Sequence, residues 1–406
     1  MEDFKIVHIT TEYQDEEPVE EEEIVEKRPR RKIVIPHSKK LLIILLILLA
    51  LIVGFVVYRT VKCYSDYEMQ NSWDRQDSAE CQYLAFNNNL LKYSSDGVTY
   101  TSYSGTLIWS YTYDMTEPTI NTCGNYLLVY DKKSSQVEIF NNSGHVTSIT
   151  TTAPIIGGQI ASKGTVALLL EEQGTSYIQL YDTAGTRLAA GEIHPENGGY
   201  PVSIAISDDG TRVLLSVIKI EEGNISSDLI FYDFSNSGKE EQDNIIASYT
   251  YLDTVIPEVD FVDKNKAIAI SDSQIIVFNN NSDASIDKEI NIDTEMKTVF
   301  HNGTYIGYVG ETTTDEDQVV NMLTVYNYKG FKCMSTELDE SYSTIQFLDS
   351  NEVLVNDTGD ISIYNLQGFK RFTYSFDENV YYVIPGTTSR RYYIIEETKT
   401  EEIHIL

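Results

Sequence analysis

VEIFNNSGHVTSI (137–149), IQLYDTAGTRLAA (178–190), LTVYNYKGFKCMS (323–335) and ISIYNLQGFKRFT (361–373) are variants of one phrase. Each has two or three alternating apolar residues, an aromatic, a polar turn with a glycine, and a second apolar run. The phrase returns as LIFYDFSNSG (229–238) and IIVFNNNSD (275–283), and in degenerate form as VTYTSYSGTLIWS (98–110). Period-two alternation on both sides of an Asn/Asp/Gly turn signals a β-hairpin, because strand side chains alternate between faces while those residues accept the turn's backbone angles. The aromatics Phe140, Tyr181, Tyr232, Phe278, Tyr326 and Tyr364 stand 41, 51, 46, 48 and 38 residues apart. A period of about 40–50 residues with four strands per unit is the signature of a β-propeller blade.

The other half of each unit lies upstream of its phrase, as an apolar strand, a turn and a second apolar strand. Examples are PVSIAISDDGTRVLLSVI (201–218), EVDFVDKNKAIAISD (258–272) and STIQFLDSNEVLVND (343–357). Shorter copies are TINTCGNYLLVYD (119–131) and KTVFHNGTYIGYVG (297–310). The units predict blades at 81–114, 118–151, 154–192, 200–251, 256–293, 297–337 and 342–376. Residues 379–406 hold three further strands. An open sheet edge is a liability, so rings of blades close by borrowing a strand from the other terminus. The segment 65–78 alternates and carries Tyr67, Met69 and Trp73 on one parity. The reading is an all-β propeller of eight four-stranded blades, the eighth shared between 65–78 and 379–406. Seven blades with an irregular end is the alternative.

Before the repeats runs LLIILLILLALIVGFVVY (41–58), 18 residues without a charge. As a helix it is about 27 Å long, near the hydrocarbon thickness of a bilayer. The following residues, Arg59-Thr60-Val61-Lys62-Cys63, have no small-residue cleavage pattern, which favours a retained anchor over a signal peptide. Lys27, Arg28, Arg30, Arg31, Lys32, Lys39 and Lys40 precede the span, whereas only Arg59, Lys62 and Arg75 follow closely. The excess of bases on the N-terminal side predicts a single-pass protein of the cell membrane, N-terminus cytoplasmic and 59–406 outside. The domain plan is thus a cytoplasmic disordered tail (1–40), a transmembrane helix (41–58) that contacts lipid, and an extracytoplasmic propeller (59–406).

The tail segregates its charge into DEEPVEEEE (15–23) and KRPRRK (27–32), with too few large apolar residues to fold alone. Its basic half faces anionic lipid, and residues 1–30 are a candidate docking peptide for a cytoplasmic partner. The tail's eleven acids and eight bases leave −29 of the chain's −32 on the remainder. That balance disfavours nucleic acid. It serves solubility and would attract a cationic partner.

The repeats together with Ile108-Trp109-Ser110-Tyr111, GYPVSIAISDDG (199–210) and Phe231-Tyr232-Asp233-Phe234 resemble an uncharacterised family of bacterial single-pass membrane-anchored β-propellers. Its blades have a quinoprotein-like or WD40-like pattern. The resemblance covers nearly all of 64–406 and the single span. The family carries no assigned activity, so it implies no functional residue. More distantly the pattern is similar to the outer-membrane assembly propeller lipoprotein, a scaffold, which implies a binding role by analogy.

Catalytic signatures are missing from the sequence, so no catalytic, cofactor-binding or metal-ligating residue is nominated and no cofactor is expected. His145, His194, His301 and His404 stand apart and read as surface or turn residues. The turn Ser207-Asp208-Asp209-Gly210-Thr211 lacks the downstream ligands of a calcium loop. Gly157-Gly158 and Gly198-Gly199 fall at blade junctions. The tyrosines and Trp109 read as strand-packing residues rather than a glycan platform. Asn141, Asn224, Asn280, Asn302 and Asn356 begin N-x-S/T sequons that read as turns. Cys63, Cys81, Cys123 and Cys333 are expected at separated places, too far apart for a disulfide, with Cys63 opening an outer strand and able to cross-link two copies.

Two functions from different classes follow. The first is a binding scaffold at the cell envelope, holding a protein or wall component outside. The alternative is an envelope hydrolase with carboxylates at the axial mouth of the propeller, and raised carboxylate pKa values there would favour it.

Overall fold

Eight antiparallel sheets of four strands each carry the repeated phrase. The computed structural model describes residues 37–77, 80–194, 198–238, 242–313, 318–338, 340–348 and 351–406. The chain falls into two units, Met1–Val56 and Val57–Leu406. In the first, the described residues are helical, part of a helix His37–Val61 that starts before the apolar run and passes Arg59. Its window Ile44–Val61 is long and apolar enough to cross a membrane, and its leucines and isoleucines are exposed on every side. The tail's docking segment lies outside the described residues.

The second unit is the propeller. Blades 1 to 7 occupy 82–112, 118–150, 155–193, 200–252, 258–291, 296–338 and 344–375, each with its strands in chain order from first to fourth. First strands touch first strands of neighbouring blades, so they line the axis and the fourth strands form the rim. The eighth sheet has the order 67–74, 399–405, 391–396, 380–385, which supports eight blades over seven.

The second strands of blades 2 to 7 are buried on both faces over most of their length. That is why YLLVY at 126–130 and VALLL at 166–170 read as continuous apolar runs without alternation. The core is divided among the seams between blades. One cluster packs Leu169, Ile178 and Leu180 of blade 3 on Ile204, Leu215 and Val217 of blade 4. Another packs Phe300, Val309 and Leu323 of blade 6 on Ile345, Val353 and Val355 of blade 7. The seam between blades 8 and 1 has four buried apolar residues, Tyr83, Leu90, Ile384 and Ile395. Polar groups complete it. Asp77 takes salt bridges from both Arg75 and Lys92, and the Tyr83 hydroxyl donates to it at 3.1 Å.

Ring closure pairs Tyr67–Asp74 antiparallel with Lys399–Ile405, from Tyr67 opposite Ile405 to Asp74 opposite Lys399. The register slips between Met69 and Asn71. This bulge breaks the expected single parity: Tyr67 and Met69 lie before it on one face, and Trp73 after it falls on the other; Tyr67 and Trp73 are half-buried, and Met69 is 54% exposed. Tyr67 packs edge-on to Tyr374 at 4.9 Å and stacks on Phe376 at 5.5 Å. Just upstream, Tyr64 is buried and bridges blade 7: its N–H donates to Arg371 O (2.9 Å), and its carbonyl accepts from Thr373 N (3.0 Å).

Removing the closing strand leaves the ladder of 399–405 open and uncovers the Tyr374–Phe376 surface. A chain beginning at Ala79 is expected to melt at least about 5 °C below one beginning at Cys63 and to aggregate on concentration, read by scanning calorimetry and light scattering. Removal of residues 1–30 should leave the propeller's melting temperature unchanged.

Candidate functional site

The axis is where charge collects against burial. Asp260 sits in the first strand of blade 5, Glu258–Asp263, and its carboxylate spans three blades. Oδ1 accepts from Gln159 Nε2 of blade 3 at 3.1 Å and from the Phe261 N–H at 2.9 Å. Oδ2 lies 3.8 Å from His301 Nδ1 of blade 6, whose Nε2 is 3.1 Å from Glu258 Oε1. Gln159 also accepts from the Ile206 N–H of blade 4 at 3.2 Å. Beside this group Cys123 Sγ lies 3.7 Å from Asp208 Oδ1.

These contacts set the protonation states. Burial pushes the Asp260 carboxyl above its ordinary value, and His301 and Gln159 only partly offset it. Burial lowers the His301 imidazole, but the bond to Glu258 and the charge of Asp260 outweigh it and hold it above its ordinary value. Burial, with Asp208 adding, pushes the Cys123 thiol up to about 12, which leaves it an inert neutral group at physiological pH. The arrangement is a proton-holding network that stitches blades 3, 4, 5 and 6 around the axis. Among the described residues no group of three or more His, Cys, Asp or Glu is arranged to hold a metal ion.

A second network lies in blade 8. Glu396 is 1% exposed and sits 3.3 Å from Lys399 Nζ, which reaches Glu401 Oε1 at 2.6 Å. Glu401 accepts from the closing strand's Tyr67 hydroxyl at 3.3 Å. Burial first, then the Glu401 charge, pushes Glu396 up to about 7 despite Lys399.

Three of the four histidines depart from the surface-or-turn reading, and His194 keeps to it. His301 is axial and paired with two carboxylates. His145 stacks on Tyr111 at 4.3 Å and meets the buried Glu138 at 2.8 Å. His194 is exposed, and His404 sits in the closing ladder opposite Glu68. The available signal was a polar residue inside an apolar inner strand: Gln159 in IIGGQI, Asp260 in EVDFVD, His301 in MKTVFH. None of the four cysteines is in a disulfide. Cys63 lies between helix and closing strand rather than in a strand. Trp109 is a packing residue, stacked on Phe140 at 5.4 Å with its Nε1–H on Asn142 O. Asp209 spends its Oδ1 on Ser207 and Thr211. Asn356 is not in a turn: it is buried in a strand and donates to Val380 O at 2.9 Å.

Residues 59–405 match the family described as "Family of unknown function (DUF5711)". The chain belongs to that family. Among solved structures it is similar to BamB from Moraxella catarrhalis, at 13% identity and TM-score 0.50, covering 84% of this chain and 100% of that one. It is similar also to Sqt1 from Saccharomyces cerevisiae, at 10% identity and TM-score 0.53, covering 86% and 99%. At such identities the likeness is one of fold, and it is the propeller fold that the DUF5711 repeats predicted. No curated protein matches the chain.

The pKa shifts fix a pH dependence. Between its ordinary 4.5 and about 7, Glu396 holds a proton in the fold that it loses in the unfolded chain, so its contribution rises as pH falls through 7. Asp260 and His301, both raised, act in the same sense. Asp77 and Asp209 act oppositely. Burial raises them, but Lys92 and Arg75, or Ser207 and Thr211, hold them below the usual range, and that stability is lost in acid. The melting temperature should therefore rise from pH 8 to pH 5 and fall below pH 4. Glu396→Gln should raise it at pH 8 by a few degrees, leave it unchanged at pH 5, and flatten the slope between.

Proposed function

We propose that this chain is a binding scaffold held at the membrane by one helix, with its propeller on the non-cytoplasmic side. The observation that carries this reading is the polarity of the ring. In antiparallel blades the connections from first to second and third to fourth strand share one rim. The remaining turns, and the links between blades, share the other. The chain arrives from the helix at the first rim, because Tyr67 pairs with Ile405 at the end of the third strand of blade 8. Among the described residues, the connections of that rim hold six Asp/Glu and four Lys/Arg. Those of the opposite rim hold fourteen Asp/Glu and three Lys/Arg. Charge kept only for solubility has no reason to segregate. An acidic rim turned away from the tether supports a protein partner with a basic surface, recruited by complementary potential.

The hydrolase reading asks for carboxylates free to reach a substrate. Asp260 has the raised pKa that would favour it, but its two oxygens are engaged by Gln159, Phe261 and His301. Its environment supports a staple between blades.

Sidedness is tested by adding protease to intact cells. Residues beyond about 62 should be digested and the basic tail spared; a protected propeller overturns the orientation. The rim is tested with detergent-solubilised full chain on immobilised polylysine. Asp293→Asn with Glu295→Gln should weaken retention a few-fold at low salt, about the scale of one exposed charge pair each. Asp243→Asn with Asp283→Asn, on the other rim, should change it little.

A further inference from the structure

Blades 1, 3, 6 and 7 join their third and fourth strands by one turn. Ser102, Asp182, Asn327 and Asn365 each accept the N–H of a glycine three residues on, Gly105, Gly185, Gly330 and Gly368. The same side chains accept the N–H of the residue after that glycine. The glycines have φ between 77° and 83°, where a side chain would be strained. The turn is therefore a rigid mount for the residue that follows the glycine. In blades 1 and 3 that residue is Thr106 and Thr186. In blades 6 and 7 it is Phe331, 66% exposed, and Phe369, 40% exposed.

Two phenylalanines on rigid mounts of adjacent blades are thus exposed on the rim where the chain arrives from the helix, with Lys329 and Lys332 exposed beside Phe331. The Phe369 turn is tied to the end of the helix. Asn365, the residue that caps the Phe369 turn, donates its Nδ2–H to the carbonyl of Thr60 at 2.9 Å. Thr60 belongs to the last turn of the helix, whose final carbonyls have no partner within the helix. The apolar window ends at Val61, one residue beyond the carbonyl that the blade 7 turn holds.

We propose that the blade 6–7 sector of this rim rests on the bilayer, with Phe331 and Phe369 inserted among the headgroups and Lys329 and Lys332 on lipid phosphates. Phenylalanine pays for its exposure in water by burial at the acyl boundary, and neighbouring lysines extend to the anionic layer above it. A second contact next to a single-helix tether fixes the tilt of the ring. The rim at blades 1 and 3, with threonines on the same mounts, then stands off the membrane. This rests on the membrane-tether reading above, and the test separates the two.

The full chain is reconstituted into phosphatidylcholine/phosphatidylglycerol vesicles, with or without bromine on the upper acyl carbons. Variants Phe331→Trp, Phe369→Trp and Thr186→Trp each add one indole on the same turn, and the emission gained over the parent chain is read. Brominated lipid should quench the added emission at 331 and 369 and leave that at 186 unchanged. Vesicles that float with the protein but do not quench at 331 or 369 overturn the contact while the tether stands. Equal quenching at 186 overturns the tilt. Blue-shifted emission at 331 without quenching by bromolipid means that another copy of the chain covers the pair, and also overturns it. Protein that does not float with the vesicles overturns both readings.

Discussion

Everything in this ring depends on one antiparallel ladder between its two ends. Tyr67 meets Ile405 and Trp73 meets Thr400, with more than three hundred residues between partners. Within blades 1 to 7 each strand pairs with a chain neighbour across a short turn, so those sheets form at small cost in loop entropy. Blade 8 lacks that route: its three C-terminal strands have an open outer edge until the chain's other end arrives. Contacts of such long range are made late, because they reward the chain only after its ends have been brought together. The closing strand packs its Tyr67 on the apolar cluster between blades 7 and 8, and the Arg75–Asp77–Lys92 group directly after it joins the smaller apolar cluster between blades 8 and 1.

The same economy explains where the few bases go. In a domain with a large excess of acids, Arg212 pairs with Asp233, Lys219 with Asp228, Lys266 with Asp287, and Lys370 with Glu340. These are partly buried pairs within or beside blades, where leaving a carboxylate alone would be costly. The acids of the rim opposite the tether have few such partners in their own connections. Packing has drawn the cations toward sheets and seams, which leaves that rim with its negative potential.

Blade boundaries, strand count and the closing segment were legible because each rests on local chemistry: period two, turn residues, apolar runs. The axial network was not. Asp260, Gln159 and His301 come from three blades, and what joins them is the convergence of first strands on the axis, a property of the closed ring that no window of sequence contains. Four histidines far apart in sequence read as isolated, yet His145 and His301 both face buried or half-buried carboxylates. The bulge after Met69 was hidden for a similar reason. Alternation in 67–73 is real, but the register slip depends on the partner strand. Phe331 and Phe369 read as two more apolar residues of the repeat, yet both stand exposed in the turns that precede the fourth strands.

Tether and closure are continuous in the chain, which places a mechanical demand on the fold. Any load carried from the helix along residues 61–66 would act on the very strand that keeps the ring shut. Tyr64 stands between them. Its backbone bonds to Arg371 and Thr373 fasten the chain to blade 7 before it reaches blade 8. Its ring lies under Lys62 at 4.3 Å and Arg390 at 5.5 Å. Asn365 fastens the chain once more, at Thr60. Load from the helix thus meets two attachments on a blade already complete by local pairing, and the closing ladder lies behind them. Blade 7 serves as the mooring and blade 8 as the clasp, so one terminal segment holds the ring to its helix and closes it without the first task straining the second.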